Sequence, residues 1–323
     1  MSSASAPPSS RLRGEIGETL RLALPLILGQ LSAVGMNVVD AMLAGHLDAH
    51  TLGAVAVGTS VWSLALVAAI GVMLALPPSV AQLAGAGREG EIGPLFRQAL
   101  WLAGGLGVLL LLAVRTLGPP LITRIGIDPT LLADTAGFLR AIAWGAPALA
   151  GYFALRGLSE GIGFTRPTMY FGLFGLALLL PVGWILMYGR FGLPALGAAG
   201  SGMATALVLW IQLAAMLAWL FLHPRYRELH LFARFEKPDR QAIAGLLRIG
   251  LPMGVTLFME GSLFVAVALA IGTLGEMVAA SHQIALNVAS VAFMVPLGLG
   301  MATTVRVGHA VGRDVAADVR WAG

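Results

Sequence analysis

The sequence predicts an all-α integral membrane protein, a polytopic helical bundle, and three observations carry that prediction. Hydrophobic residues make up 58% of the 323 and charged residues only 11%, with a mean hydropathy of +0.85. A soluble domain carries roughly 25% charged residues, and too few polar residues remain here to coat a soluble globule. The apolar residues collect in eight runs long enough to cross the hydrocarbon core, which takes about 20 residues of helix. These runs are rich in Leu and Ala and do not alternate as membrane strands do. Soluble enzymes, disordered tails and nucleic-acid modules are excluded by the same composition.

The runs lie at 20–43, 52–76, 96–114, 133–155, 169–188, 195–221, 247–271 and 278–305. The first follows a polar tail with no short apolar core and small-residue cleavage site behind it, so it reads as a retained helix. Pro25 is expected to bend its entry. The first and seventh loops, 45–51 and 272–277, contain no Lys or Arg. The sixth, 223–244, is long and basic. There is no Cys, so disulfides and thiolate metal sites are excluded.

The net charge of +4 comes from 20 Lys+Arg against 16 Asp+Glu. The basic residues stand singly between apolar runs, which suits orientation in the bilayer rather than nucleic-acid binding. Alternate loops sort them unevenly. Sixteen of the 20 fall on the side of the N-terminal tail, Arg156 of the fourth loop among them, and only Arg115, Arg124, Arg140 and Arg190 fall opposite. Because Lys and Arg are retained on the cytoplasmic side, the N-terminus is expected there.

The chain also repeats itself. Leu20-Arg-Leu-Ala-Leu-Pro25 opens the first helix and Leu247-Arg-Ile-Gly-Leu-Pro252 the seventh. At the same offset Gly45-His-Leu47 meets Gly272-Thr-Leu274, and Gly87-Arg88-Glu89 is followed in kind by Gly312-Arg313-Asp314. Six helices per copy place both copies the same way up, as parallel repeats. The implied organisation is a cytoplasmic tail (1–19), an N-lobe of six helices (20–222), a hinge-like cytoplasmic connector (223–246) and the first two helices of a C-lobe (247–323). A complete second copy would run further, so a twelve-helix protein is expected, of which this chain holds eight.

Polar residues inside an apolar helix are costly, about 2.5–3.5 kcal/mol for a charge on insertion scales, and so mark protein-facing or water-filled places. Glu260 lies 13 residues into the seventh helix, about 20 Å along it, beside Gly261, which would permit close approach. Asp40 in the first helix shares a stripe with Gln30 and Asn37, all within about 80° on the helical wheel. The eighth helix has His282, Gln283 and Asn287, the last two at i, i+4. Gln30, Asn37, Gln283 and Asn287 are candidate cavity-lining or substrate-contacting residues. Ser201, Thr205 and Gln212 of the sixth helix read as packing residues. No metal cluster, nucleophile triad, phosphate loop or aspartate-rich transferase motif is present in the sequence, which argues against a membrane enzyme.

Several of these stretches together resemble a known family. They are Leu-Ala-Leu-Pro25 with Asp40-Ala-Met-Leu-Ala-Gly45-His, the run from Tyr188 to Thr205, and Ala280-Ser-His282-Gln-Ile-Ala-Leu-Asn287 with Met294-Val-Pro296-Leu-Gly and Val305-Arg-Val-Gly308. From about residue 15 to 315 the chain looks like multidrug and toxic compound extrusion (MATE) transporters, and most like their bacterial branch named for norfloxacin efflux. The resemblance implies twelve helices in two six-helix lobes in the bacterial inner membrane, and export of organic cations and amphipathic drugs against inward Na⁺ or H⁺ by a monomer without a cofactor. It implies that Asp40 and Glu260 serve cation or proton coupling. Glu260 would be the Na⁺ ligand of a Na⁺-coupled protein, completed by an aspartate of a tenth helix beyond Gly323. Relatives often carry Asn where Gly183 stands here, which removes an amide from the N-lobe. The rivals are an inactive fragment of the transporter and a lipid-linked oligosaccharide flippase of the wider superfamily. The flippase would need cationic residues in a central cavity, whereas the intramembrane charges read here as acidic and the Arg residues as loop residues.

Overall fold

A computed structural model describes residues 8–124, 127–234, 236–272, 276–314 and 316–322. Side chains are described throughout these segments except at 8–13, 65, 68, 264–266, 268–272, 276–284, 286–287 and 316–318. The described residues form α1 (Pro8–Leu47), α2 (Ala49–Met73), α3 (Leu76–Gly85), α4 (Glu89–Arg124), α5 (Pro129–Ile142), α6 (Ala146–Gly161), α7 (Arg166–Tyr188), α8 (Gly197–Leu222), α9 (Arg240–Gly272), α10 (Glu276–Gly312) and α11 (Ala316–Ala322). Among the described residues eight stretches are long and apolar enough to span a bilayer, and each overlaps one of the eight runs of the sequence. Two spans are interrupted helices: α2 passes into α3 at Leu74–Ala75, and α5 into α6 through a 3₁₀ turn at Ala143–Gly145.

The helix ends follow ordinary cap chemistry. Asp48 caps α2 by accepting the Thr51 N–H at 2.6 Å, and Asp128 caps α5 by accepting the Thr130 N–H at 2.9 Å, with Pro129 in the first helical position. These backbone hydrogen bonds hold both Asp carboxyls below the usual carboxylate range. Gly189 ends α7 in the left-handed conformation, φ 68°. α1 runs unbroken through Pro25.

Two apolar clusters hold the first six spans together. One gathers Phe96, Leu155, Leu158, Met216 and Tyr226, the other Trp62, Phe138, Leu139, Ile142 and Met187. Outward faces keep large apolar side chains exposed, Leu109, Leu117, Leu180 and Phe221 among them, as a surface meeting lipid requires. The last two spans attach by close backbone approach. A Cβ on Gly71 of α2 would come within 2.2 Å of Gly254 Cα on α9, and one on Gly312 of α10 within 2.1 Å of the Gln82 carbonyl on α3. Small residues at membrane helix crossings allow this proximity. Gly312 therefore works differently from its counterpart in the repeat, Gly87, which turns the chain with φ 70°; after α10 that turn is taken by Asp314, φ 55°. The repeat partners Thr273 and Leu274 lie outside the described residues.

The connector after α8 is fastened rather than free. Arg97 of α4 donates to the carbonyls of His230 (3.1 Å) and Leu231 (3.0 Å) and pairs with Glu236 at 2.5 Å, holding that carboxyl below its usual range. Gln98 bonds the Lys237 carbonyl and the Asp239 N–H, at 3.1 and 2.7 Å. Burial pushes the Tyr226 phenol up to about 12.

One sequence expectation is corrected here. α6 continues to Gly161, so Arg156 is a helix residue inside the fourth span, 8% exposed, and not a loop residue. The intramembrane charges are thus not all acidic. The assignment failed because the apolar run ends at Leu155 while the helix does not. Removing one residue from sixteen leaves the charge asymmetry intact.

Candidate functional site

Asp40 sits near the end of α1, half-buried, where α1 meets α8. Its two carboxylate oxygens are used separately: Oδ1 accepts from Ser201 Oγ at 3.0 Å and Oδ2 from Thr205 Oγ1 at 3.0 Å. Ser201 and Thr205 are one helical turn apart on α8, so both hydroxyls face the same neighbour. Read as packing residues from sequence, they are instead the partners of the one acidic side chain of α1 inside the apolar run. The arrangement gathers three oxygen-bearing side chains, the donor type hard cations prefer. On α7, a Cβ at Gly183 would meet only the tip of Leu43, at 2.7 Å. Space for a larger residue there depends on that one flexible side chain.

The rest of the predicted stripe divides. Asn37 is exposed and makes no hydrogen bond among the described residues. Gln30 belongs to another cluster ten residues nearer the N-terminus. Its Oε1 accepts from Arg156 Nη2 at 2.9 Å, Arg156 Nε pairs with Glu160 at 2.5 Å, and Glu160 also accepts from Thr168 Oγ1 at 3.0 Å. Side chains of the ion pair are 9% and 4% exposed. This network ties α1, α6 and α7 together. Sequence reasoning missed it by ending the span at Leu155, although Arg156 and Glu160 stand at i, i+4, the spacing of a helical ion pair.

Glu260 is exposed on α9 and has no hydrogen-bond or ion-pair partner among the described residues; α9 packs chiefly against α2 and α10. Beside Glu260, a Cβ on Gly261 would meet nothing within 4 Å among the described residues. The structure therefore joins Asp40 to α8 and leaves Glu260 apart from it. His282, Gln283 and Asn287 stand on α10, and their side chains lie outside the described ones. Gln212, buried, donates to the Phe171 carbonyl at 2.7 Å and so packs α8 against α7. Among the described residues no group of three or more His, Asp or Glu side chains could hold a metal ion.

Eight apolar spans enclosing buried polar clusters define a polytopic helical membrane protein. A family model described as MatE matches residues 25–185 and 252–320. The chain is 49% identical over 328 residues to a probable multidrug resistance protein NorM of Xanthomonas axonopodis pv. citri, covering all of this chain and 71% of that protein. It is 44% identical over 312 residues to multidrug resistance protein PmpM of Pseudomonas aeruginosa, covering 97% of this chain and 65% of the relative. A solved structure described as the outward-facing conformation of a multidrug resistance MATE family transporter shares the fold, with a TM-score of 0.85 at 22% identity over 99% of this chain and 70% of the other. The chain belongs to the MATE family.

Proposed function

We propose that the chain acts in secondary active efflux, exporting cationic and amphipathic drugs in exchange for inward Na⁺ or H⁺, as a multi-pass protein of the bacterial inner membrane with its N-terminus in the cytoplasm. The observation that carries the proposal is Asp40, a carboxylate inside an apolar span held by two hydroxyls of another helix. A charge in an apolar span is costly, which marks the position as a candidate for function. The names of the NorM and PmpM relatives support a drug as cargo. Those relatives are transporters, and catalysis of a covalent reaction is not part of the proposal.

Coupling follows from competition for negative charge. With Asp40 ionised the site attracts an organic cation. A proton or Na⁺ at Asp40, or at Glu260 on the other lobe, removes that attraction, and the drug is released outside. A ligand shifts the balance of two conformations only by its differential affinity for them, so drug and coupling ion must favour opposite states. Ser201 and Thr205 orient the carboxylate and offer further oxygens. The protein works as a monomer in this scheme, and requires no cofactor beyond the coupling ion.

Ethidium efflux from energised cells lacking their own pumps tests this, using the chain as it stands and a form extended to the full length of its Xanthomonas relative. Efflux from the extended form that disappears in Glu260→Gln supports antiport through that carboxylate. Efflux that survives Glu260→Gln removes Glu260 and leaves Asp40 alone. No efflux from a well-inserted extended form contradicts the proposal.

A further inference from the structure

Three arginines that the transport scheme does not use meet at one end of the bundle. Arg21, Arg166 and Arg225 line a cleft of about 380 Å³ between the first part of α1, the turn joining α6 to α7, and the segment after α8. Arg21 and Arg166 make no ion pair or hydrogen bond among the described residues. Arg225 reaches the Ile162 carbonyl at a long 3.4 Å and lies 5.1 Å over the Phe164 ring. The one carboxylate on the rim, Glu18, is 3.5 Å from Arg306 outside the cleft. Thr165, also lining the cleft, is 3% exposed and its hydroxyl has no hydrogen-bond partner among the described residues. The cleft therefore holds uncompensated positive charge and an unused donor.

Its depth says what meets that charge. Arg21 stands seven residues into the 34-residue span 14–47, which is longer than the roughly 20 residues that cross the hydrocarbon core, Arg166 is the first residue of the span 166–188, and Arg225 comes three residues after the span that ends at Leu222. All three stand toward the ends of spans on the face where basic residues predominate, the part of a span that a bilayer meets with its headgroups. Below Arg21, α1 leaves Leu24 and Leu28 exposed; below Arg166, α7 leaves Tyr170, Leu173 and Phe174 exposed. Basic pockets between membrane helices on this face suit phosphate headgroups, and Arg presents a donor fork that matches phosphate oxygens.

We propose that this cleft binds the phosphate of an anionic phospholipid, with Arg21, Arg166, Arg225 and the Thr165 hydroxyl on the headgroup and the acyl chains along the exposed faces of α1 and α7. The site is independent of efflux and stands or falls without it. Native mass spectrometry of the full chain in detergent tests it, with added phosphatidylglycerol, phosphatidylcholine or inorganic phosphate. Phosphatidylglycerol is expected to bind at least tenfold more tightly than phosphatidylcholine, to lose that preference in Arg21→Gln/Arg166→Gln, and to keep it in Arg21→Lys/Arg166→Lys. Arg190→Gln, at the opposite end, should change nothing. If the double Gln variant does not fold, Arg166→Gln alone is read, with a smaller loss expected in the same direction. Equal binding of the two lipids, unchanged phosphatidylglycerol binding in a folded Gln variant, or displacement of the lipid by an equal concentration of inorganic phosphate would each overturn the proposal.

Discussion

Glu160→Gln should destabilise the N-terminal helices strongly. It keeps the side-chain length and the oxygen that accepts from both Thr168 and Arg156, yet leaves the Arg156 guanidinium, 8% exposed, without a counter-charge and facing only neutral acceptors, Gln30 at 2.9 Å among them. Breaking a buried ion pair from one side costs about 3–5 kcal/mol, because a charge is left uncompensated. An ordinary hydrogen bond between membrane helices averages only about 0.6 kcal/mol. The gap between these figures is wide enough to decide what the cluster is. Unfolding titrated with SDS in mixed micelles should show a loss of about 3 kcal/mol or more. The double variant Arg156→Met/Glu160→Leu, which removes both charges, should recover most of it, since apolar replacements of buried pairs are often neutral or better. A loss below about 1 kcal/mol for Glu160→Gln, or a double variant no better than the single, would refute the reading of a desolvated, mutually dependent pair.

Other consequences can be measured in the same way. Gly71→Ala should cost about 1–3 kcal/mol, as overpacking does, because its methyl would press on the Gly254 backbone; Gly104→Ala, whose Cβ would meet nothing within 4 Å, should be neutral or slightly stabilising. Replacing Ser201 by Ala together with Thr205 by Val should lower efflux by an extended form more than either change alone, since each hydroxyl holds a different Asp40 oxygen. Glu236 has its carboxyl held low by Arg97. Its contribution to docking the connector is therefore complete above the ordinary glutamate range and disappears as pH falls through the lowered value. Limited proteolysis within 226–240 should accelerate on that acid side, and an acceleration on raising pH instead would contradict the sign.

Much of the fold was legible because length and hydropathy alone decide which segments cross a bilayer. All eight spans fall where the apolar runs predicted them, and Asp40 was visible as a charge the bilayer would penalise. What stayed hidden has a common cause. Hydropathy reports where lipid can touch a helix, and not where a helix continues among polar neighbours. α6 passes beyond Leu155 into the Arg156–Glu160 pair, whose charges cancel within the protein, so the apolar run stopped short of the helix. Ser201 and Thr205 have no distinguishing pattern of their own; they become partners only when α8 packs beside Asp40. The partners of the polar stripe of α1 were hidden for the same reason. Gln30 answers to α6, Asp40 to α8, and Asn37 to neither among the described residues, because different helices reach α1 at different heights. The Gly87 and Gly312 motifs look alike in sequence and act through different physics, one by a positive φ and one by backbone proximity.

The most direct test of a shared carboxylate is equilibrium binding of tetraphenylphosphonium to an extended form in detergent, measured across Na⁺ concentration and pH, with Asp40→Asn alongside. Competition at Asp40 predicts that binding weakens as Na⁺ or H⁺ rises, and that Asp40→Asn binds more weakly and responds far less to either ion. Undiminished binding in Asp40→Asn with the full cation response retained would contradict it.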